Sequence, residues 1–368
     1  MKIFYTLDTL QVGGAEKSVL EIASRLVERH QIGVVSFYPG RTLRAEFEAR
    51  GIRTFFLDLP GKYSFFMGYR RLLQICREQR PDLLVSALYR ADQMTRLVGW
   101  RLGIPVVGSF VSENRLYRPT ENRGFRFHLK KRLFWALDFL TARTCRAFYA
   151  VGPHIKETNA RALRISQQKI EVLFRGRGLP PEISKKQTPG FRILHVARFV
   201  PEKGHALLIN AFAEFVREVP EATLTLAGDG RLRQEIEWKC RELGIAKNVI
   251  FLGEVKDIWS LHAAHDLFVF PSHHEGSSGA VIEAMLSGMP VLVSDIPMLR
   301  ELVRDDETGF WFESGSIFDL LEKFRKAFRN QQALKELGKK AQTEGRRRFD
   351  IEEVSRQHEA FYEKVRAM

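Results

Sequence analysis

Short apolar runs of strand length alternate with longer amphipathic segments through the whole chain, and this alternation occurs twice. Six runs in each half predict strands: KIFYTL, GVVSF, TFFLDL, LLVSAL, PVVGSF and AFYAV in the first, and RILHVA, TLTLAG, VIFLG, LFVFP, PVLVS and GFWF in the second. The segments between them, such as AEKSVLEIASRLVERH, place apolar residues at the three- and four-residue spacing of helices. Such alternation predicts parallel sheets that are covered by helices on both faces.

A stretch of paired prolines, glycines and lysines, GRGLPPEISKKQTPG at residues 176–190, separates the two runs and is typical of a linker. We therefore predict two doubly wound, Rossmann-like α/β domains facing a cleft. The predicted parts are residues 1–180, a linker at 181–190, residues 191–345 and a C-terminal helix within 346–368. Ligands of such sheets bind at the carboxyl ends of the strands, so the loops after strands are where chemistry is expected.

The net charge of +14 comes from the first half of the chain. Residues 1–185 hold 32 Lys and Arg against 16 Asp and Glu, whereas residues 186–368 hold 26 against 28. Such asymmetry indicates either an anionic partner or a basic, well-solvated surface.

Three widely spaced cysteines fit neither a disulfide framework nor a zinc site, which favours a reducing compartment. The opening MKIFYTLDTLQV is too short and too polar for a signal peptide, and no later run is long enough to span a membrane. We therefore expect a cytoplasmic protein.

Two loops after predicted strands could bind phosphate. In DTLQVGGAEKSV, Gly13 and Gly14 precede a helix, whose N-terminus favours an anion, although a purely structural glycine turn fits equally well. In ARFVPEKG, Arg198 and Lys203 suit a diphosphate, and the alternative is a solvated pair or an ion pair with Glu202.

The loop LAGDGRLRQEIE is best interpreted as a tight turn into a helix, with a backbone that faces a nucleotide as the alternative.

The segment HHEGSSGAVIEAM places Glu275 at the end of a buried strand and Glu283 in the first turn of a helix. The small residues between them, Gly276, Ser277, Ser278 and Gly279, leave backbone N–H groups open to an anion at that helix N-terminus. The two carboxylates could accept hydrogen bonds from the hydroxyls of a sugar nucleotide. Alternatively, Glu283 only favours the helix dipole and Glu275 is solvated.

Taken together, these loops resemble those of family-4 retaining glycosyltransferases, which have the GT-B fold. The segment EGSSGAVIEAMLSGMPVLVSD is similar to the E-x7-E motif of that family, ARFVPEKG to its Arg-x4-Lys element, and QVGGAEKSVLEIA to its N-terminal Gly-Gly loop. The resemblance covers nearly the whole chain and is strongest from residue 191 to residue 313. It implies a first domain that binds the acceptor, a second that binds a nucleotide sugar, and a last helix that returns to the first domain.

The resemblance also implies a role for each matched residue. Arg198 and Lys203 would hold the donor diphosphate, Glu283 the ribose hydroxyls, and Glu275 the sugar hydroxyls near the reacting carbon. The loop residues from Gly276 to Gly279 would contact the donor, with the backbone at Ser278 and Gly279 on the sugar or the distal phosphate. Gly13 and Gly14 would face the diphosphate and the acceptor.

The chemistry implied is transfer of a sugar with retention of anomeric configuration. Fixed cations stabilise the nucleoside diphosphate as it leaves, and the chain has no D-x-D pair for a divalent ion. We therefore expect no metal requirement and no cofactor. A UDP-sugar is the first expected donor and a GDP-sugar the second, and surface polysaccharide or lipopolysaccharide assembly is the expected setting.

Three positions depart from the family pattern. The residue after Glu275-Gly276 is often large or apolar in the family, whereas Ser277-Ser278-Gly279 leaves more room here and could change the choice of sugar. Arg175 in VLFRGRGL stands where the family often has an asparagine. The loop after the fifth strand reads FVSENR and has no histidine, so that Glu113 and Asn114 are the candidates for that place.

Residues 113–146 are basic and rich in interleaved aromatic residues, a pattern often found on anionic membrane surfaces. The predicted acceptor or membrane face is Arg115, Arg126, Lys130, Lys131 and Arg132. We expect a peripheral protein at the inner face of the cytoplasmic membrane, acting on a glycan or lipid-linked acceptor, and the alternative is an ordinary domain helix with inward-facing aromatics.

Two other functions remain possible from the sequence. One is a GT-B sugar-nucleotide epimerase, which would act without an acceptor. The other is a basic nucleic-acid-binding protein without transferase activity, which the mildly acidic second half disfavours.

Overall fold

The computed structural model describes residues 1–61, 64–113, 125–182 and 190–368. The chain forms two compact units: residues 1–178 together with 351–368, and residues 179–350. The division between residues 178 and 179 falls just before the predicted linker at 181–190, of which residues 183–189 lie outside the described ranges.

The first unit is built on a parallel sheet of seven strands. They are β1 (Lys2–Leu7), β2 (Gln31–Ser36), β3 (Arg53–Phe56), β4 (Leu83–Ser86), β5 (Val106–Phe110), β6 (Ala147–Ala150) and β7 (Ile170–Val172). The spatial order β3-β2-β1-β4-β5-β6-β7 reverses between β1 and β4, which creates a crevice at the carboxyl ends of these two strands. The central strands are buried along nearly their whole length, as expected for a parallel sheet that is covered on both faces.

Six helices of the first half cover this sheet. They are α1 (Gly14–Leu26), α2 (Arg44–Ala49), α3 (Phe65–Gln79), α4 (Tyr89–Leu102), α5 (Phe125–Thr141) and α6 (Pro153–Leu163). The short edge strand β7 is not among the six strands that the sequence predicts for this half.

The second unit has six parallel strands in the order β10-β9-β8-β11-β12-β13. They are β8 (Arg192–Val196), β9 (Thr223–Ala227), β10 (Val249–Gly253), β11 (Leu267–Phe270), β12 (Val291–Ser294) and β13 (Phe310–Phe312). The helices are α7 (His205–Glu218), α8 (Arg233–Glu242), α9 (Ile258–Ala263), α10 (Gly279–Leu286), α11 (Pro297–Arg300), α12 (Ile317–Arg329) and α13 (Gln331–Phe349). The order again reverses at the first strand, here between β8 and β11, which places a second crevice at their carboxyl ends.

The last helix, α14 (Ile351–Ala367), belongs to the first unit. Its residues Phe361 and Tyr362 lie in the same core as Tyr5, whose hydroxyl donates to that of Tyr362 at 3.4 Å. The predicted start of this segment at residue 346 falls inside α13, because Phe349 is still fully buried and Gly345 still packs on α10. The second unit therefore extends to Asp350.

Candidate functional site

In the second unit, the loops that follow β8 and β11 are held together by backbone contacts. The Ser272 hydroxyl and the His273 N–H both donate to the Glu202 carbonyl, at 2.9 and 2.8 Å. Gly204 has a φ of +69°, and a Cβ atom there would lie 2.0 Å from the Pro271 carbonyl oxygen. Glycine is therefore required where the two loops meet.

Lys203 and Glu275 form an ion pair between these two loops. Their side chains are only 17% and 9% exposed. Glu275 Oε1 also lies 2.9 Å from the Ser272 hydroxyl oxygen, and Lys203 Nζ lies 5.2 Å from the centre of the Phe270 ring. Because water reaches neither charge freely, the pair fixes both side chains more firmly than a surface ion pair would.

The loop after β9 packs directly against the segment that carries Arg198. The Phe199 N–H donates to the Asp229 carbonyl at 2.9 Å. Gly228 has a φ of +128°, and a Cβ atom there would lie 2.1 Å from the Ala197 carbonyl oxygen. Close packing thus explains the first glycine of the Gly-Asp-Gly sequence, in agreement with a tight turn.

The Arg198 side chain is exposed. Within the described ranges it forms no hydrogen bond and no ion pair, so the pair with Glu202 that the sequence left open is not formed. Its guanidinium is available for a ligand at the carboxyl end of β8.

Helix α10 begins at Gly279, because the Ser278 hydroxyl caps it by accepting from the Val281 N–H at 3.4 Å. Ser277 and Ser278 are buried, whereas Gly276 and Gly279 are half-buried. The buried Ser277 hydroxyl has no hydrogen-bond partner among the described residues. This loop therefore joins open backbone N–H groups of a helix N-terminus to a polar atom that can still accept or donate.

The two glutamates occupy slightly different places from those predicted. Glu283 is the fifth residue of α10 and lies in its second turn, because the cap at Ser278 sets the start of the helix. Glu275 lies in the loop five residues after Phe270, the last residue of β11, and not at the end of the strand.

Two buried histidines, His195 and His205, are neighbours of Lys203. The rings of His195 and His205 are 4.7 Å apart, and Phe199 stacks on His205 at 4.2 Å. Burial lowers the pKa of His195 to about 4. Burial, together with the neighbouring His195 and Lys203, also lowers the pKa of His205 strongly. Both rings are therefore neutral at neutral pH, and Lys203 is the cation of this cluster.

In the first unit, Gly13 is the N-cap of α1 and Gly14 its first residue. A Cβ atom on Gly14 would come within 2.8 Å of Arg175 Nη1, so the guanidinium lies against the start of the helix. A cation and a helix N-terminus together form a stronger anion site than either does alone. The Gly-Gly loop and Arg175, whose role the sequence left open, thus lie together.

The carboxyl edge of the first sheet also carries a pair that the sequence did not predict. Glu113, after β5, pairs with Nε2 of His154, the second residue of α6. Asp8, directly after β1, accepts from the Ala91 N–H at 2.9 Å, and burial raises its pKa. The signal that could have revealed His154 and Asp8 is their position just after a strand. Asn114 lies outside the described residues.

Little of the predicted acceptor or membrane face can be located. Arg132 is exposed on α5. Arg115 lies outside the described residues, as do the side chains of Arg126, Lys130 and Lys131. Among the helices that the structure describes, none combines the length and the apolar character needed to cross a bilayer.

A cavity and a possible metal cluster in the described part of the chain lie apart from the loops after β8 and β11. A cavity of about 600 Å³ in the second unit is lined by residues such as Phe191, Pro290 and Lys335, which precede β8, precede β12 and lie on α13. Among the described residues, the group that could hold a metal ion is His30, Glu359 and Glu363, in which Glu359 already pairs with Arg29 and His30. The predicted donor residues belong to neither.

Comparison with known proteins matches each of the two units to a glycosyltransferase family model. The family model "Glycosyltransferase Family 4" matches residues 12–177, and "Glycosyl transferases group 1" matches residues 180–344. A Campylobacter jejuni enzyme named as a GalNAc-GalNAc-diNAcBac-PP-undecaprenol alpha-1,4-N-acetyl-D-galactosaminyltransferase is 23% identical over 92% of this chain and 91% of its own. The lipopolysaccharide core biosynthesis glycosyltransferase LpsE of Rhizobium meliloti is 25% identical over 82% of each chain.

Solved structures share the fold. Anabaena HepE in complex with UDP has a TM-score of 0.80 and 21% identity, and the match covers 99% of this chain and 100% of HepE. The lipopolysaccharide outer core galactosyltransferase WaaB has a TM-score of 0.73 and 19% identity, with 99% and 100% covered. These structures show the GT-B fold, and the two family models show a glycosyltransferase. The chain belongs to glycosyltransferase family 4.

Proposed function

We propose that this chain transfers a hexose from a UDP-sugar, or less readily from a GDP-sugar, to a glycan or lipid-linked acceptor during surface polysaccharide or lipopolysaccharide assembly. The HepE structures contain UDP and UDP-glucose, which favours a uridine donor. Two similar proteins are named for undecaprenol-linked acceptors, and others for O-antigen and lipopolysaccharide core synthesis, which favours an acceptor of that class.

The observation that carries the proposal is the Lys203–Glu275 ion pair, together with the exposed Arg198 in the same loop after β8. In the proposed roles, Lys203 and Arg198 bind the donor diphosphate, and Glu275 binds hydroxyls of the transferred sugar. Glu283 binds the ribose hydroxyls, and the N-terminus of α10 with its Ser277–Gly279 loop contacts the sugar or the distal phosphate. Gly13, Gly14 and Arg175 supply a further anion-binding position in the first unit.

The proposed reaction breaks the bond between the anomeric carbon and the diphosphate oxygen and forms one to an acceptor hydroxyl oxygen on the same face. The acceptor proton passes to the leaving phosphate, and both electrons of the broken bond leave with UDP. Arg198 and Lys203 stabilise the negative charge that develops there, a kind of contribution worth roughly 3–4 kcal/mol per fixed donor in other enzymes. Since these cations already lie at the site, we expect no divalent ion to be required.

The decisive experiment is calorimetric titration with UDP, GDP, ADP, dTDP and NAD in the presence of EDTA, on the wild type and on Glu283→Ala. We expect micromolar binding of UDP, weakened about tenfold or more in the variant, as for one lost hydrogen bond to a charged group. The matched control is Glu307→Ala, which removes an exposed glutamate of the same unit. The absence of binding to any diphosphate, or equal binding by both variants, would contradict the proposed donor site.

The finer features need separate measurements. Proton NMR of the fresh product distinguishes retention from inversion at the anomeric carbon. Undiminished transfer in EDTA supports metal independence, whereas recovery only with added Mg²⁺ or Mn²⁺ contradicts it. Turnover of the sugar nucleotide without any acceptor would favour an epimerase.

The proposal includes peripheral attachment to the inner face of the cytoplasmic membrane, since a lipid-linked acceptor is held there. The basic charge of residues 1–185 supports this, because polybasic surfaces are attracted to anionic lipids. Of the predicted face, the exposed Arg132 is the residue whose side chain the structure describes.

A further inference from the structure

One side of α3 exposes apolar and basic residues together. In its first turns, Phe66 is 71% exposed and Met67 is 41% exposed. The arginines Arg70 and Arg77 follow on the exposed side, and the Arg70 guanidinium lies 6.0 Å from the centre of the Phe66 ring. These residues line a shallow surface depression, which we call the α3 face: Phe66, Met67, Arg70, Arg71, Leu73, Gln74, Arg77 and Glu78.

The opposite side of α3 is buried in the core of the first unit. Gly68, Leu72 and Cys76 are buried. A Cβ atom on Gly68 would lie 2.5 Å from Met94 Sδ on α4, so the two helices are in close contact. The helix therefore cannot turn Phe66 and Met67 inward, and their exposure is a fixed property of the fold.

The charge of this helix is strongly one-sided. Residues 65–80 contain the four arginines Arg70, Arg71, Arg77 and Arg80, and their acidic residue is Glu78. A helix with a buried face and an exposed face of arginines beside Phe and Met has the composition of an interfacial helix, in which cations meet lipid phosphates and apolar side chains enter the acyl boundary.

We propose that the α3 face docks on an anionic lipid surface, with Phe66 and Met67 inserted and Arg70 and Arg77 on the headgroups. The α3 face shares no residue with the basic stretch at residues 113–146. A single-stranded nucleic acid fits less well. Its successive bases stack on several aromatic rings, whereas the residues that line the α3 face include one aromatic ring, that of Phe66.

The position of Phe66 relates the docking to the proposed transfer reaction. Because α3 follows β3 in a parallel sheet, its first turn lies at the carboxyl edge of the first unit. Asp8, Glu113 and His154 lie at the same edge. Docking through Phe66 would hold this edge close to the headgroups, where a lipid-linked sugar is presented. That relation rests on the proposed function, whereas the docking itself does not.

Vesicle co-sedimentation tests the docking directly. The lipids are phosphatidylcholine with and without phosphatidylglycerol, and two double variants of the α3 face are compared: Phe66→Ser with Met67→Ser, and Arg70→Glu with Arg77→Glu. Each has a matched control in the second unit. The apolar control is Phe318→Ser (72% exposed) with Ile317→Ser (39% exposed). The charge control is Arg329→Glu with Arg346→Glu, two exposed helical arginines. Equal melting temperatures show that all variants fold.

We expect the wild type and both controls to bind the anionic vesicles, with binding weakened by added salt. Each α3 double variant should bind at least about tenfold more weakly. The arginine variant loses two cations that each contribute about 1 kcal/mol near such a surface, and the Phe66 and Met67 variant loses apolar area that would be buried in the acyl boundary. No binding by the wild type, unchanged binding by the α3 variants, or an equal loss in the controls would overturn the proposal. So would α3-dependent binding to single-stranded RNA without binding to vesicles.

A second measurement reports insertion. The three native cysteines are all buried, so a Met67→Cys variant can be labelled selectively with an environment-sensitive dye, and Ile317→Cys is the control of equal exposure. We expect a blue shift with anionic vesicles at position 67 and none at position 317. Binding of UDP separates the two proposals. α3 variants that lose vesicle binding but keep the wild-type affinity for UDP support the docking, whereas a wild type that binds UDP but no vesicles leaves the donor site standing and overturns the α3 docking.

Discussion

The loops at the carboxyl edges of the two sheets are built in different ways. In the second unit, the loops after β8, β9 and β11 interlock through backbone contacts at Gly204 and Gly228, and the Lys203–Glu275 ion pair joins two of them. In the first unit, polar residues from separate loops come together through side-chain contacts, such as Glu113 with His154.

This difference explains why the loops of the second unit can be recognised as sequence motifs, whereas those of the first unit cannot. Interlocking backbones need glycines at fixed places, and such glycines form short local motifs. Side-chain pairs across a sheet edge join residues far apart in the chain, as Glu113 and His154 are, and leave no local motif. The loops of the second unit are thus held by their backbones, whereas those of the first unit meet through side chains.

The largest effect is expected from removing Lys203, the cation of the Lys203–Glu275 pair in the second unit. Lys203→Ala should lower the rate constant for transfer by about 100- to 1000-fold, as the loss of one fixed donor to a developing charge does elsewhere. The measurement is the release of UDP from UDP-sugar with acceptor. Lys335→Ala, which removes an exposed lysine from α13, is the control. A loss of less than threefold on this scale would show that Lys203 serves only to hold Glu275.

The second expected effect is acid sensitivity that differs between the units. Burial lowers the pKa of His195 to about 4 and of His262 to about 3 in the second unit, and of His358 to about 3 in the first. Each folded pKa lies below the unfolded value of 6.5, so the stabilisation is complete above pH 6.5 and is lost as pH falls from there toward the folded pKa. His195 alone should cost about 2 kcal/mol between pH 7 and pH 5.

Because the second unit also contains His205, with a similarly lowered pKa, its stability should fall more steeply with acid. Hydrogen exchange followed by mass spectrometry, corrected for the intrinsic effect of pH, would compare β8 and α7 with β1 and α1. A His195→Asn variant should flatten the response of the second unit. Equal slopes for the two units would show that these histidines do not set the difference.

The third prediction tests the interlocked backbone. Gly204→Ala should destabilise the second unit by about 2 kcal/mol more than Gly244→Ala, since forced contacts in packed regions cost about 1–3 kcal/mol. The two glycines have nearly the same φ, +69° and +73°, but a Cβ atom on Gly244 would meet nothing within 4 Å. The pair therefore separates backbone strain from collision with Pro271. Equal urea midpoints would mean that the loops can move apart freely.

Much of the fold could be predicted from the sequence because strands and helices follow local periodicity. The exceptions have physical causes: β7 has only three residues, and α13 continues past residue 346 because Phe349 remains buried in the second unit. Of the site, the sequence predicted the loops after β8 and β11 as donor loops, which stays a prediction, but it placed Glu283 one turn too early, since only the geometry identifies Ser278 as the cap. The contact of Arg175 with the start of α1 and the pairing of His154 depend on tertiary structure alone.

The smallest expected effect concerns the side-chain pair of the first unit. Glu113→Gln keeps the shape of the side chain but removes the charge that pairs with His154, so we expect transfer to fall by about tenfold, equivalent to about 1.4 kcal/mol. The loss should fall on the acceptor KM and kcat, while the affinity for UDP stays unchanged. Glu157→Gln, an exposed glutamate of α6 that pairs with Arg161, should change neither. A parallel loss of UDP affinity would instead show that the two edges act on one ligand, and the contrast between a donor edge and an acceptor edge would then fail.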